Sequence, residues 1–304
     1  MALWNRYYLP DTVDEALSLL AAGEGRARVM AGGTDLILDL QQGRRPPVEA
    51  LVDVTRIREM TGLEQVDGAV MVGAAVTHTA IVATPWLARA ATCLVESCGV
   101  IGGPQVRNVA TLGGNVAHAL PAGDGTLSLV ALDAEAEIAP GPGASREWRP
   151  VVSLFNGPGR SAVDQARQLI VRFRFRACGP GEATAFQRIM RPQGVALPIL
   201  GMAAWLRVEG GVVDDVRIAL GPAGPTPLRA RQAETYLTGI PLVEDVLPQV
   251  ADLVVAEATL RTSPHRATAD YRRELIEALV RRSLTIAYRR ARTGEAVPER
   301  VGLR

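Results

Sequence analysis

The sequence contains no lysine. All 33 of its basic residues are arginine, which excludes Schiff-base catalysis, pyridoxal phosphate anchored on a lysine and the lysine of a P-loop, because each needs a primary amine. Cysteine and histidine are scarce: Cys93, Cys98 and Cys178 form no CxxC pair, and His78, His118 and His265 are scattered, so zinc and iron-sulfur ligand spacings are missing. The cysteines read as small core residues in a reducing compartment. Excess charge is missing too. A formal net charge of +1 excludes a general nucleic-acid binder, which needs many cations to displace counterions from phosphates. The opening stretch lacks the basic end and apolar run of a signal peptide, and no later run reaches the length of a membrane span, so a cytoplasmic protein is expected. The common nucleotide and hydrolase signatures are also absent. GEGRAR at 23–28 lacks the third glycine of a Rossmann loop and precedes a strand, and there is no GxSxG, GKS or GKT.

What remains is a chain of 304 residues, 48% apolar and 21% charged, enough for one to three compact units. DTVDEALSLLAAG predicts a helix with Thr12 and Glu15 as a capping box, Val13, Ala16, Leu17 and Leu20 on one face, and Gly23 as its stop. ARVMA reads as a strand passing through GGTD into a helix at LILDLQQG, and ALVDV as another strand. GLEQVDGAVMVGA reads as a hairpin turning at Asp67 and Gly68. A helix broken near Pro85 follows, with Thr77 as cap and His78 as a surface residue. VALDAEAEI and QLIVRFRFR alternate as strands, the latter with Val171, Phe173 and Phe175 on one side. ACGPGEAT at 177–184 is the candidate linker. Beyond it lies a hairpin turning at Gly210 and Gly211. The final helix stacks Leu275, Leu279, Ser283 and Ala287 beside Ile276, Val280 and Leu284. Its arginine pairs 272/273, 281/282 and 289/290 read as solvated flanks. No internal repeat or low-complexity segment is present.

Two glycine turns carry the candidate chemistry. In AGGTDL, Ala31 to Leu36, glycine permits positive φ and close approach to the main chain, and a turn opening a helix converges free N–H groups on an anion without any lysine. Thr34 adds a hydroxyl, and Asp35 is positioned to cap the helix. The stretch 111–115 repeats the recipe, with Thr111, Gly113 and Gly114 and the amide of Asn115. Asp124 follows nine residues on with no basic residue beside it in sequence. A carboxylate repels phosphate, so its partner is a sugar hydroxyl or a backbone donor. Two donor-rich loops and one acid suit a diphosphate carrying a ribose or ribityl chain.

These stretches resemble the flavin-binding medium subunit of the molybdenum hydroxylases, the family of xanthine, carbon monoxide, aldehyde and N-heterocycle dehydrogenases. AGGTDL at 31–36 resembles the first FAD loop of the family, and IGGPQVRNVATLGGNVAHALPAGD at 101–124 its second. Similarity continues through SLVALDAEAEI, GPAGPTPLRARQAETYLTG and ATADYRRELIEALVRRSL, covering nearly the whole chain. The resemblance implies an α+β fold: a PCMH-type FAD-binding domain over 1–176, with subdomains of about 1–55 and 56–176, and a C-terminal domain over 183–290 with a three-stranded antiparallel sheet and helices. It implies that Ala31, Gly32, Gly33, Thr34, Asp35 and Leu36, together with Thr111, Gly113, Gly114 and Asn115, hold the diphosphate. Asp124 would meet the sugar or ribityl region, with Ile101, Leu169 and Ile170 near the rings. Some relatives carry a lysine near the flavin where this chain has Gln187 and Arg188, and no role is carried over to either. AGGTD has no His or Cys for covalent attachment, so noncovalent FAD is expected.

The implied function is an electron-transfer subunit. A large partner subunit would hold molybdopterin, a small one two [2Fe-2S] clusters, and the assembly would be a dimer of heterotrimers; no side chain of this chain need act on the organic substrate. Two rival readings are a self-sufficient flavin oxidase or reductase, which would turn over without a molybdenum subunit, and a non-catalytic assembly subunit that has lost FAD.

Overall fold

A computed structural model describes residues 2–191, 197–264 and 266–299; His265 lies outside the described residues. The first unit alternates strand and helix: β1 (Trp4–Tyr8), α1 (Val13–Ala22), β2 (Ala27–Met30), α2 (Leu36–Gln41) and β3 (Val48–Asp53). Its sheet is parallel in the order β1-β3-β2. Helix α1 begins where expected because Thr12 Oγ1 accepts the Glu15 N–H at 3.1 Å. The Glu15 carboxylate reaches back to the Asp11 N–H instead of that of Thr12, so the reciprocal half of the cap is shifted by one residue. Val13, Ala16, Leu17 and Leu20 are buried. Gly23 caps the helix with right-handed backbone and is required by packing, since a Cβ there would lie 2.5 Å from that of Ala27, while Glu24 and Gly25 make the left-handed turn that ends it.

The second unit carries α3 (Arg58–Thr61), β4 (Leu63–Val66), β5 (Ala69–Gly73), α4 (His78–Val82), α5 (Pro85–Ala90), α6 (Thr92–Gly99), α7 (Pro104–Arg107), α8 (Leu112–Ala117), α9 (Asp124–Ala131), β6 (Glu135–Ala139), β7 (Glu147–Pro150) and β8 (Leu169–Arg176). Its antiparallel sheet runs β4-β5-β8-β6-β7. Asp67 and Gly68 both have positive φ, 51° and 78°, which gives the two-residue turn the twist a hairpin needs. On β8, Val171, Phe173 and Phe175 face the core. On its other side Arg172 and Arg174 pair with Glu137 and Glu135 at 2.7 and 2.8 Å, so the alternation is apolar against ion-paired. The single broken helix expected after Thr77 is three helices: Pro85 opens α5, and the non-helical backbone of Ala91 separates α5 from α6. VALDAEAEI is only half a strand. Its first residues finish α9, which is buried on every side, and apolar periodicity cannot distinguish such a helix from a strand.

The C-terminal unit contains β9 (Glu182–Met190), β10 (Pro198–Glu209), β11 (Val212–Gly221), β12 (Leu228–Arg229), α10 (Arg231–Leu237), α11 (Leu247–Glu257) and α12 (Ala269–Thr293). Its antiparallel sheet has three long strands, and the two-residue β12 adds a fourth beside β11. Strand β10 is buried on both faces. Ala203 and Trp205 join the core of the second unit, while Met202, Ala204 and Leu206 share a core with α11 and α12. The stripe expected on α12 is buried as predicted, each large aliphatic side chain contributing about 1.5 to 3 kcal/mol.

Two arginines depart from expectation. Arg272 and Arg290 are buried instead of solvated. They lie five full turns apart at about 100° per residue, on the same face as the apolar stripe, and the core supplies partners. Arg272 donates to the Ile199 and Pro222 carbonyls, and Arg290 to Glu96 and to the Thr184 carbonyl. Arg273, Arg282 and Arg289 are exposed, and Arg281 is half-buried. Among the described residues no helix is long and apolar enough to cross a membrane.

Candidate functional site

One cavity of about 600 Å³ collects all fourteen site residues named from the sequence: Ala31, Gly32, Gly33, Thr34, Asp35, Leu36, Ile101, Thr111, Gly113, Gly114, Asn115, Asp124, Leu169 and Ile170. The parallel sheet delivers the first loop from the end of β2. Helix α8 and the start of α9 bring the second, β8 supplies the apolar floor, and Pro198 and Arg266 close in from the C-terminal unit.

The first loop is built to offer amides. Gly33 has φ +68°, a region that favours glycine. Gly32 is required by packing, since a Cβ there would lie 2.0 Å from the Val109 carbonyl oxygen. From Gly32 to Leu36 no backbone N–H finds a partner among the described residues, and the Thr34 hydroxyl has none either. Helix α2 has six residues, so the loop donors, not a long helix dipole, define the site. Asp35 does not cap the helix. Its backbone is already helical, and its carboxylate lies 3.8 Å from Nε2 of His118, which also lines the cavity.

The second loop corrects the expectation of a matching cradle. Residues 110–112 hydrogen-bond across to Val76 and His78, the Gly113 N–H is given to the Ala74 carbonyl at 2.8 Å, and Thr111 Oγ1 accepts the Gly114 N–H at 3.1 Å. Asn115 N–H closes the first turn of α8. These amides are therefore spent inside the protein. Gly113 serves packing too, as a Cβ would sit 2.5 Å from Ala74, whereas at Gly114 it would meet only the Thr111 hydroxyl, at 3.2 Å. What the loop leaves free is a side chain: Asn115 Oδ1 accepts from Thr126 N–H and Oγ1, both at 3.0 Å, so the Nδ2 hydrogens have no partner among the described residues.

Asp124 opens α9 and is buried. The base missing from its sequence neighbourhood arrives from β9, where Arg188 Nη1 donates to Oδ2 at 2.6 Å. Oδ1 is buried with no partner, a state that calls for a ligand hydroxyl or ordered water. Burial pushes the carboxyl up to about 6, with Arg188 pulling in the opposite direction. Ile101, Leu169 and Ile170 add apolar lining to the cavity, and His78 lines it too. His78 is buried, against expectation, because the turn that Thr77 caps pairs with Thr111 and folds inward. Its Nδ1 lies 3.4 Å from Cys98 Sγ, and burial, with a smaller push from Arg107, lowers its pKa to about 4. It is neutral at pH 7. Sequence reading missed His118 and Arg266 and gave Arg188, placed near the flavin by the resemblance, no role; their contacts with the site span many residues and leave no local motif.

The family described as the FAD binding domain in molybdopterin dehydrogenase matches residues 3–175, and the CO dehydrogenase flavoprotein C-terminal domain matches residues 184–287. The xanthine dehydrogenase FAD-binding subunit of Escherichia coli O157:H7 is 29% identical over 92% of this chain and 95% of its own. The nicotine 6-hydroxylase medium subunit of Paenarthrobacter nicotinovorans is 30% identical over 93% and 96%. Among solved structures, carbon monoxide dehydrogenase from Hydrogenophaga pseudoflava superposes with a TM-score of 0.88 at 29% identity, covering 94% of this chain and 98% of that one. Matched along nearly its whole length in both sequence and fold, the chain belongs to the family of FAD-binding domains of molybdopterin dehydrogenases, joined to a CO dehydrogenase flavoprotein C-terminal domain.

Proposed function

We propose that the chain is the FAD-carrying electron-transfer subunit of a heteromeric molybdenum hydroxylase. The observation that carries this reading is chemical: the run of unpartnered N–H groups from Gly32 to Leu36, the free Asn115 Nδ2 and the orphaned Asp124 Oδ1 share one cavity with apolar lining. Buried polar groups in that state mark a site that a polar ligand completes. A dinucleotide with a diphosphate, hydroxylated linkers and a flat apolar ring satisfies each in turn.

In this reading Ala31 to Leu36 hold the diphosphate and Thr34 adds its hydroxyl. Asn115 Nδ2 donates from the facing wall, and Thr111, Gly113 and Gly114 shape that wall by fixing α8 against Ala74. Asp124 accepts from a sugar or ribityl hydroxyl, while Ile101, Leu169 and Ile170 exclude water from the ring. FAD held by these residues would supply redox chemistry that links one-electron and two-electron carriers, suited to the exit from a chain of iron-sulfur clusters. The side chains hold, orient and desolvate. The clusters and molybdopterin belong to a small and a large partner subunit, the assembly being a cytoplasmic dimer of heterotrimers. Units of 1–176 and 183–290 divide the work between cofactor binding and closure of the cavity.

The test is the flavin content of the purified complex. One noncovalent FAD per copy of this chain, bleached when the complex is given its organic substrate and recoloured by an added acceptor, is the expected result. A complex that turns over with no flavin would overturn the reading.

A further inference from the structure

Arg188 is held in place by two parts of the cavity wall at once. Its side chain is 3% exposed. Nη1 donates to Asp124 Oδ2 at 2.6 Å, while Nη2 donates to the Val100 carbonyl at 2.6 Å and lies 3.2 Å from Met190 Sδ. Asp124 starts α9, and Val100 immediately precedes Ile101 and Gly102, which also line the cavity. One guanidinium from β9, in the C-terminal unit, therefore ties the start of α9 to the 100–102 segment of a cavity built mainly by the other two units.

The geometry points to Arg188 as a positioning residue for the cofactor: it fixes the Asp124 carboxylate so that Oδ1 is kept for a hydroxyl of the bound dinucleotide, and pins the loop beside the ring. This rests on the FAD reading. Two physical facts support it. A buried carboxylate without a counter-charge takes up a proton instead of remaining an acceptor, and among the described residues Arg188 is the only cation within ion-pair distance of Asp124. The other groups that face Asp124 are Arg266, from the segment before α12, and the neutral thiol of Cys98 on α6. The fork geometry also matters, because a lysine ammonium is a point charge that cannot reproduce two diverging planar contacts.

The full chain, stripped of FAD and titrated with it between pH 5 and 8, tests this. Wild-type affinity should fall as the pH drops through about 6, where Asp124 becomes neutral. Arg188→Met should weaken binding ~10- to 100-fold at pH 7.5 and move the pH midpoint upward, with Arg188→Lys recovering part of both. The double variant Asp124→Asn/Arg188→Met removes the buried charges together and keeps the test open if the single variant folds poorly. It should melt close to wild type, yet bind FAD weakly and without pH dependence between 5 and 7. Wild-type affinity in the double variant, or an unchanged pH midpoint in a folded Arg188→Met, would overturn the role of Arg188 alone. A wild-type chain with no affinity for FAD would overturn the cofactor reading and this role with it.

Discussion

Arg290, near the end of α12, donates to Glu96 on α6 at 2.6 Å, and both side chains are fully buried. The pair joins residues 194 positions apart and is the centre of a larger junction. Glu96 also accepts the Phe186 and Glu299 N–H groups at 2.7 and 2.8 Å, and Arg290 also donates to the Thr184 and Val297 carbonyls. Burial raises the Glu96 pKa while Arg290 opposes that rise. Arg290→Met leaves an uncompensated buried carboxylate and should destabilise the chain by about 3 to 5 kcal/mol. Glu96→Gln/Arg290→Met should recover much of the loss, as read by urea denaturation.

The glycines of the two loops should separate by cause. Gly32→Ala drives a Cβ into the Val109 carbonyl, and Gly113→Ala does the same at Ala74. Both should lower the melting temperature and FAD content together. Gly33→Ala costs about 1 to 2 kcal/mol for its positive φ and should reduce FAD content more than stability. Gly114→Ala, whose Cβ would meet only a hydroxyl, should be mild in both. Flavin absorbance per chain, set beside thermal melts, gives the ranking.

Asn115 offers a charge test at constant shape. Asn115→Asp keeps an oxygen to accept from Thr126 N–H and Oγ1, but replaces the free Nδ2 donors with a carboxylate. Stability should change by less than about 1 kcal/mol, while FAD affinity falls ~10-fold or more through the lost donor and repulsion of the diphosphate. Fluorescence titration of the stripped chain measures it.

His78 sets an acid limit on stability. Its folded pKa of about 4 lies below the usual 6.5, so the unfolded chain takes up a proton that the folded chain refuses. The contribution is fully present above pH 6.5 and is lost as the pH falls toward 4. Asp124 is displaced the opposite way, from 3.8 to about 6; in the FAD-free chain its contribution is present below 3.8 and lost as the pH rises to 6. The two oppose each other between pH 4 and 6. His78→Gln removes one of them, so the stability of wild type relative to this variant should decline by about 3 kcal/mol between pH 7.5 and 4. Urea midpoints at several pH values check the sign.

Local chemistry was legible in the sequence where it depends on adjacent residues. The Thr12 cap, the turns at Asp67–Gly68 and Gly210–Gly211, the apolar face of β8 and the α12 stripe all follow from spacing and backbone preference. The chemistry of the two glycine loops and Asp124 already pointed to one shared ligand, while Ile101, Leu169 and Ile170 joined them only through the family resemblance. What sequence could not supply was the partner of each buried polar group. Arg272, Arg290 and His78 look like surface residues until distant carbonyls, Glu96 and Cys98 are seen around them. The amides of 112 and 113 look free until Val76 and Ala74 accept from them, while Thr111 takes up those of 114 and 115. These are long-range contacts, and no period along the chain encodes them.

The central claim is that one FAD lies in this cavity with its diphosphate on the first loop, and a cryo-EM map of the purified complex tests it most directly. Diphosphate density against the N–H groups of Gly32 to Leu36, with a hydroxyl of the same molecule within hydrogen-bonding distance of Asp124, is the predicted result. Flavin density elsewhere, or a loop whose amides are closed off by protein, would contradict it.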